Sequence, residues 1–260
     1  MLVERGLFAS RARAQEAISA GLVSADGEVV RKASQTLPAE ARLEASRAHP
    51  WVSRGGLKLV AALDAFGLDP QGLACLDVGA STGGFTDVLL ARGAKSVVAV
   101  DVGHGQFDPR LAADPRVRSL EHRDARKLTP ADVFEPPQAI VCDVSFISQR
   151  LVLPILLALA APEAWLVSLV KPQFEVGPAR LSKGLVKDEA ALAQACESIR
   201  EEVEGLGWAS VGLTPSPILG GDGAREFLYA ARRLSRGSGS RSANGGDQSP
   251  ASSPSKLSRQ

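Results

Sequence analysis

The chain has 260 residues, of which 45% are hydrophobic and 23% charged. That balance excludes a disordered or fibrous polymer and allows one α/β domain of ordinary size with a small appended module. Lys plus Arg number 30 against 29 Asp plus Glu, a formal net charge of +1, so overall charge does not announce a nucleic-acid partner, and any such partner must be argued from local distribution.

The three cysteines, Cys75, Cys142 and Cys196, are far apart in apolar stretches. They read as buried thiols in a reducing cytoplasm, with neither a disulfide framework nor a metal site expected. The first ten residues carry Glu4 and Arg5 and lack the apolar run and cleavage site of a signal peptide. From Leu151 to Val170 the chain is span-like, but Pro154, Pro162 and Glu163 divide it, which predicts a helix, a turn and a buried strand, and no membrane association.

In chain order, Ala14, Ala17, Ile18 and Leu22 stand at helical spacing from Arg11 to Gly21, with Ser10 as N-cap and Gly21 as stop. Ala25-Asp26-Gly27 between short β-branched runs predicts a hairpin. Residues 34–50 are polar and interrupted by Pro38 and Pro50, which suits a last small strand and a connector. The run Leu2-Val3-Glu4-Arg5-Gly6-Leu7-Phe8-Ala9-Ser10-Arg11, followed by Ala14-Gln15 and Ala20-Gly21-Leu22-Val23, resembles the small S-four-type RNA-binding domain. The resemblance implies that Arg5, Arg11 and Arg13 face RNA phosphate, which guanidinium forks match well. It also implies a shortened first helix, because that family has several residues more before it.

Next, the pattern alternates strand and helix, as a doubly wound sheet requires. Ala74–Val78 reads as a buried strand, Gly79-Ala80-Ser81-Thr82-Gly83-Gly84 as a glycine-rich turn, and Phe85–Arg92 as a helix stopped by Gly93. Ser96–Val100 is a second buried strand closed by Asp101, placed to accept hydrogen bonds from a ribose diol. Glycines at such a turn let the backbone approach a ligand and present amides at a helix start. The loop lacks the dinucleotide fingerprint and resembles a methyltransferase loop, in which Asp77 would hold the cationic amino group of S-adenosylmethionine. An anion there would repel a pyrophosphate. By the same resemblance Asp124, after a third strand at Val117–His122, would contact the adenine; an N-cap role for it is equally open. The cofactor set is therefore Asp77, Gly79, Ser81, Gly83, Gly84, Phe85, Asp101 and Asp124. His104 follows Asp101 closely and borders the same region, while His49 and His122 read as structural.

A fourth strand, Ala139–Cys142, ends at Asp143, and a fifth, Trp165–Val170, ends at Lys171, so both charges emerge at the edge where the loop lies. With Lys58 in Ser53-Arg54-Gly55-Gly56-Leu57-Lys58 and Glu226 in Gly223-Ala224-Arg225-Glu226, they are similar to the Lys-Asp-Lys-Glu tetrad of FtsJ-type ribose 2'-O-methyltransferases. With the front module, the chain is identified as a member of the TlyA family, described as haemolysins but active on ribosomal RNA. The resemblance implies a Rossmann-like α/β methyltransferase sheet of seven strands, the last antiparallel, behind a small α/β module. It also implies methyl transfer from S-adenosylmethionine to ribose in 16S and/or 23S ribosomal RNA, free or in ribosomal subunits.

The chemistry suits these residue types. A ribose hydroxyl is a poor nucleophile and needs a base. Lys171 is the candidate, with Lys58 as the nearby cation that disfavours its charged form; Asp143 and Glu226 orient the two lysines, and each also opposes that shift by favouring the ammonium form. The expected organisation is an RNA-binding module over 1–48, a linker over 49–53, a methyltransferase domain over 54–234 and a disordered tail over 235–260. Lys183-Gly184 and Gly220–Gly223 read as loops, Lys183 being a phosphate-contact candidate. A membrane-active haemolysin and a non-catalytic ribosome-assembly factor are the alternatives.

Overall fold

The computed structural model describes residues 1–8 and 10–234; the tail expected to be disordered, 235–260, lies outside the described residues. In the N-terminal module α1 spans Arg11–Ser19, and Ser10 Oγ accepts from Arg13 N as its N-cap. Gly21, at φ +70°, turns the chain out of the helix. β1 (Val23–Ala25) and β2 (Glu28–Val29) form the expected hairpin about Asp26 and Gly27, both at positive φ, and β3 (Leu43–Ala45) pairs with the other edge of β1. Phe8, Ala17, Ile18, Val23 and Val30 make its small core.

The larger domain runs α2 (Gly55–Phe66), β4 (Ala74–Val78), α3 (Gly84–Ala91), β5 (Ser96–Val100), α4 (Pro109–Ala112), β6 (Val117–Leu120), β7 (Ala139–Cys142), α5 (Leu153–Leu159), β8 (Trp165–Val170), α6 (Pro172–Glu175), β9 (Leu181–Ser182), β10 (Leu185–Val186), α7 (Glu189–Gly205), β11 (Trp208–Pro215) and β12 (Phe227–Arg233). Seven strands form one sheet in the order β11-β12-β8-β7-β4-β5-β6. The five from β6 to β8 are mutually parallel, and β12 is antiparallel to both of its neighbours.

The continuous apolar strands serve two cores at once. Along β4, Leu76 and Val78 face one cluster and Cys75 the other; along β7, Ile140 and Cys142 oppose Ala139 and Val141. This two-residue alternation is what burial on both faces of a parallel sheet produces. Each fully buried Leu or Ile contributes about 1.5–3 kcal/mol.

Topology decides where the site lies. β4 pairs with β5 on one side and β7 on the other, so strand order reverses there and a crevice opens at the carboxyl ends. Because β12 runs backwards, Phe227 pairs with Val170. Glu226, one residue before β12, therefore arrives at the edge where β8 delivers Lys171. The third strand ends at Leu120, two residues earlier than expected, and His122 adopts φ +54°.

The connector is tied to both domains. The Arg13 guanidinium donates to the carbonyls of Trp51 and Val52, and Val52 N donates to Asp87 Oδ2 on α3. Trp51 lies so close over Gly56 that a Cβ there would sit 2.5 Å from its ring, so only glycine permits this packing.

Candidate active site

Four charged side chains converge at the carboxyl edge. Lys58, in the first turns of α2, and Glu226 are both buried, and Lys58 Nζ donates to Glu226 Oε2 at 2.5 Å. Lys171 Nζ lies 2.5 Å from Asp143 Oδ1 and donates to Ser145 Oγ at 2.7 Å. The expectation set Lys58 beside Lys171 as a destabilising cation; the structure gives each lysine its own carboxylate. Coulomb attraction over such distances, little screened by water, outweighs juxtaposition of like charges. Lys58, Lys171, Glu226 and Ser145 line one cavity of about 500 Å³.

A second cavity, of about 610 Å³, lies across the ends of β4, β5 and β7, within the size range of small-molecule sites. Gly79, Ser81, Asp101, Asp124 and Asp143 line it, and Ser145 and Phe146 line both cavities. The two spaces therefore meet at the loop that follows β7. Asp101 Oδ2 accepts from Ser81 N at 2.8 Å and Oδ1 from Gly103 N at 2.7 Å, so the acid closing the second strand also braces the loop. Asp124 caps the short 3-10 turn Ala125–Lys127 and is gripped by the Arg126 guanidinium, which pulls its carboxyl down to about 2. The N-cap alternative thus describes its local role, and it still faces the cavity.

Asp77 lies fully buried, with Oδ2 accepting from Thr86 Oγ1 at 2.6 Å and Oδ1 lacking a hydrogen-bond partner among the described residues. Burial pushes its carboxyl up to about 7, against the donation from Thr86. Asp77 is not on the cavity wall, but the next residue, Val78, is; a buried, under-satisfied carboxylate oxygen so near that wall is what a cationic ligand group would complete, so the residues fit the amino group of S-adenosylmethionine.

The glycines act differently from the sequence argument. A Cβ on Gly79 would stand 2.3 Å from the Asp143 carbonyl oxygen, and one on Gly83 would stand 2.4 Å from Leu111 Cδ1. Their bareness lets the loop pack against the protein's own chain, which holds the loop and the end of β7 together. Gly83, Gly84 and Phe85 are not on the cavity wall; Phe85 is buried in the core beside Val52 and Leu59. Its apolar ring gains more from that core than from a wet cavity.

Of the expected RNA contacts, Arg11 is exposed on α1. Arg5 donates to the carbonyls of Ala39 and Ala41, and Arg13 serves the connector. Both guanidiniums are committed to backbone carbonyls of this chain, Arg5 within the module and Arg13 in the connector. Lys183 was expected in an open loop; with Gly184 it forms the positive-φ turn of the β9–β10 hairpin, and Gly184 lines the tetrad cavity. His104 and His122 stack at 4.4 Å, and His49 contacts Glu16. Sequence reasoning missed Ser145 as the partner of Lys171 and Phe146 as a 92% exposed ring at φ +64° between the cavities. The signal available was their place just after Asp143.

A parallel sheet with an antiparallel penultimate strand, a loop-floored cavity at the strand reversal and a Lys-Asp-Lys-Glu set beside it, buried except for Asp143, define a methyltransferase-type α/β protein. Residues 51–233 match the family profile of the FtsJ-like methyltransferases, and residues 1–43 match the S4 domain. A Mycobacterium tuberculosis protein, 16S/23S rRNA (cytidine-2'-O)-methyltransferase TlyA, is 47% identical over 236 residues, 89% of this chain and 87% of its own length. Hemolysin A of Brachyspira hyodysenteriae is 39% identical over 86% of this chain and 94% of its own. The structure of a Streptococcus thermophilus protein provisionally named a hemolysin superposes with TM-score 0.74 at 39% identity, covering 90% of this chain and 86% of that one. The chain belongs to the TlyA group of the FtsJ-like methyltransferase family. Among the described residues no helix is long and apolar enough to cross a membrane, and no cluster of three or more His, Cys, Asp or Glu could hold a metal ion.

Proposed function

We propose that the chain transfers a methyl group from S-adenosylmethionine to a ribose 2'-hydroxyl of ribosomal RNA. The observation that carries this reading is Lys171, which lines the tetrad cavity and is held by Asp143, from the wall of the second cavity, and by Ser145, which lines both. Asp77 holds the donor's amino group, Asp101 its ribose diol and Asp124 its adenine, with Gly79 and Ser81 as the loop backbone beneath. Gly83, Gly84 and Phe85 support that loop from behind. When bound, the donor supplies an electrophilic methyl group on a sulfonium.

The Asp143 carboxylate favours the ammonium form of Lys171, so Nζ first gives up its own proton through the open cleft; as the free amine it then takes the proton of the ribose hydroxyl, whose oxygen would accept the methyl group that a bound donor supplies. Asp143 fixes Nζ by charge. Lys58 and Glu226 form the opposite wall and place the ribose, and holding oxygen, methyl carbon and sulfur in line supplies much of the rate. The module over 1–48, joined by 49–53 to the catalytic domain over 54–234, presents Arg11 to RNA phosphate, with Arg5 and Arg13 shaping that surface and Lys183 adding a contact from the hairpin tip. Burial pushes the thiols of Cys75 and Cys142 up to about 12, and such inert thiols suit a reducing cytoplasm.

The test is Lys171→Ala, assayed with tritiated donor and ribosomal RNA or subunits. Transfer falls by at least ~10²-fold, the lower range of what a positioned base contributes, while donor affinity by calorimetry is unchanged. Equal activity in variant and wild type would remove Lys171 as the base.

A further inference from the structure

We infer that Ser145 is a positioning residue for the methyl transfer, setting the direction in which Lys171 presents its lone pair. The inference rests on the reading of Lys171 as base and goes beyond it by naming the group that aims it.

Lys171 has two close neighbours of different character. Its directed hydrogen bond goes to Ser145 Oγ at 2.7 Å, whereas Asp143 Oδ1, 2.5 Å away, is buried without a hydrogen bond of acceptable angle. Asp143 therefore acts on Nζ by charge, which attracts without choosing a rotation. A directed bond does choose one. A neutral lysine amine has two N–H donors and one lone pair in a tetrahedral arrangement, and its Cε–Nζ bond rotates freely. With one N–H on Ser145 Oγ and the other drawn toward Asp143, the third direction is the lone pair. Lys171 lines the tetrad cavity and Ser145 lines both cavities, so a lone pair left free by these two anchors is available to a ribose hydroxyl entering the tetrad cavity. Without Ser145 the amine has a single, undirected anchor, and the lone pair samples positions from which no proton can be taken.

Ser145 itself is held in register. Asp143 N donates to Val78 O at 2.8 Å, Gly79 lies against the Asp143 carbonyl, and farther along Ser148 Oγ and Gln149 N donate to Glu175 beyond Lys171. The loop carrying Ser145 and the turn carrying Lys171 are thus pinned to each other. Ser145 is exposed, so changing its side chain leaves the core intact.

The experiment compares Ser145→Ala, Ser145→Cys, Ser145→Thr and Lys171→Ala in the full chain, measuring kcat and KM for ribosomal RNA, donor affinity by calorimetry and thermal midpoint. Ser145→Ala and Ser145→Cys lower kcat about 10- to 100-fold, part of the ~10²–10⁴-fold that a positioned base contributes, with KM, donor affinity and midpoint unchanged. Cysteine matters because it keeps the size of serine while its sulfur is a weak acceptor. Ser145→Thr retains the hydroxyl and recovers kcat to within about threefold, a small part of that same contribution. Wild-type kcat in Ser145→Ala or Ser145→Cys, with Lys171→Ala inactive, overturns the role of Ser145 and leaves the base in place. An active Lys171→Ala overturns both. A loss in Ser145→Ala accompanied by a lowered midpoint, and not recovered by threonine, overturns positioning in favour of plain packing.

Discussion

Replacing Asp77 by asparagine exchanges a titratable group for a neutral one of the same shape, at a position with no exposure to water. Thr86 Oγ1 can still donate to the remaining carbonyl oxygen. In the folded protein the Asp77 carboxyl titrates at about 7 instead of its ordinary 3.8, because burial disfavours the ionised form. The folded chain therefore holds this proton more tightly than the unfolded chain does, and wild-type stability falls as pH rises from about 4 to about 7, with no further loss above. At ~1.36 kcal/mol per pH unit over that interval, the cost is on the order of 4 kcal/mol. The Asp77→Asn protein carries no such cost. Denaturant titrations of both proteins without the methyl donor, at pH 5, 6, 7 and 8, isolate the effect, because contributions of other groups cancel in the difference. Asp77→Asn gains on wild type at each step up to pH 7 and then holds its lead. With donor present at pH 8 the order reverses in affinity: wild type binds and the variant binds weakly, since only the carboxylate matches a cationic amino group. A stability difference that stays flat from pH 5 to pH 8 would refute the argument that Asp77 is stored in a costly state.

Glu226→Gln leaves the Lys58 ammonium buried against a neutral group and lowers unfolding stability by about 3–5 kcal/mol; the double variant Lys58→Met, Glu226→Leu recovers most of that loss by denaturation yet transfers no methyl groups. Gly79→Ala forces a Cβ to 2.3 Å from the Asp143 carbonyl at φ +82°, strain of at least ~1–2 kcal/mol, and calorimetry shows donor affinity reduced about tenfold or more. Arg11→Ala lowers RNA affinity and reduces the slope of log affinity against log salt by about one. Arg13→Ala leaves that slope unchanged and lowers the thermal midpoint, because its donors serve the Trp51 and Val52 carbonyls.

The buried strands were legible because a strand covered on both faces must be apolar throughout, and Ala74–Val78, Ala139–Cys142 and Trp165–Val170 have that pattern. Asp143 and Lys171 were legible as charges at the ends of such strands, where a side chain reaches the crevice without entering the core. The pairing of the tetrad was not. Sequence places Asp143 and Lys171 at one edge and the family resemblance adds Lys58 and Glu226, but which meets which depends on the backward run of β12 and the entry of α2. The β9–β10 hairpin was read as a loop because strands of two residues show no periodicity; its only mark was Lys183-Gly184, a pair suited to a positive-φ turn. Arg5 and Arg13 show a related limit: charge can be read from letters, but whether carbonyls of the same chain claim it cannot. Phe85 looked like part of the loop because it follows the glycines, and helix geometry turned it inward.

The buried contact between Lys58 and Glu226 joins residues 168 positions apart, nearly the whole span of the catalytic domain. During synthesis the first of them leaves the ribosome long before the second exists, so a nascent or prematurely terminated product has no finished reaction centre. The Lys58–Glu226 contact is thereby reserved for molecules in which β12 has been inserted into the sheet.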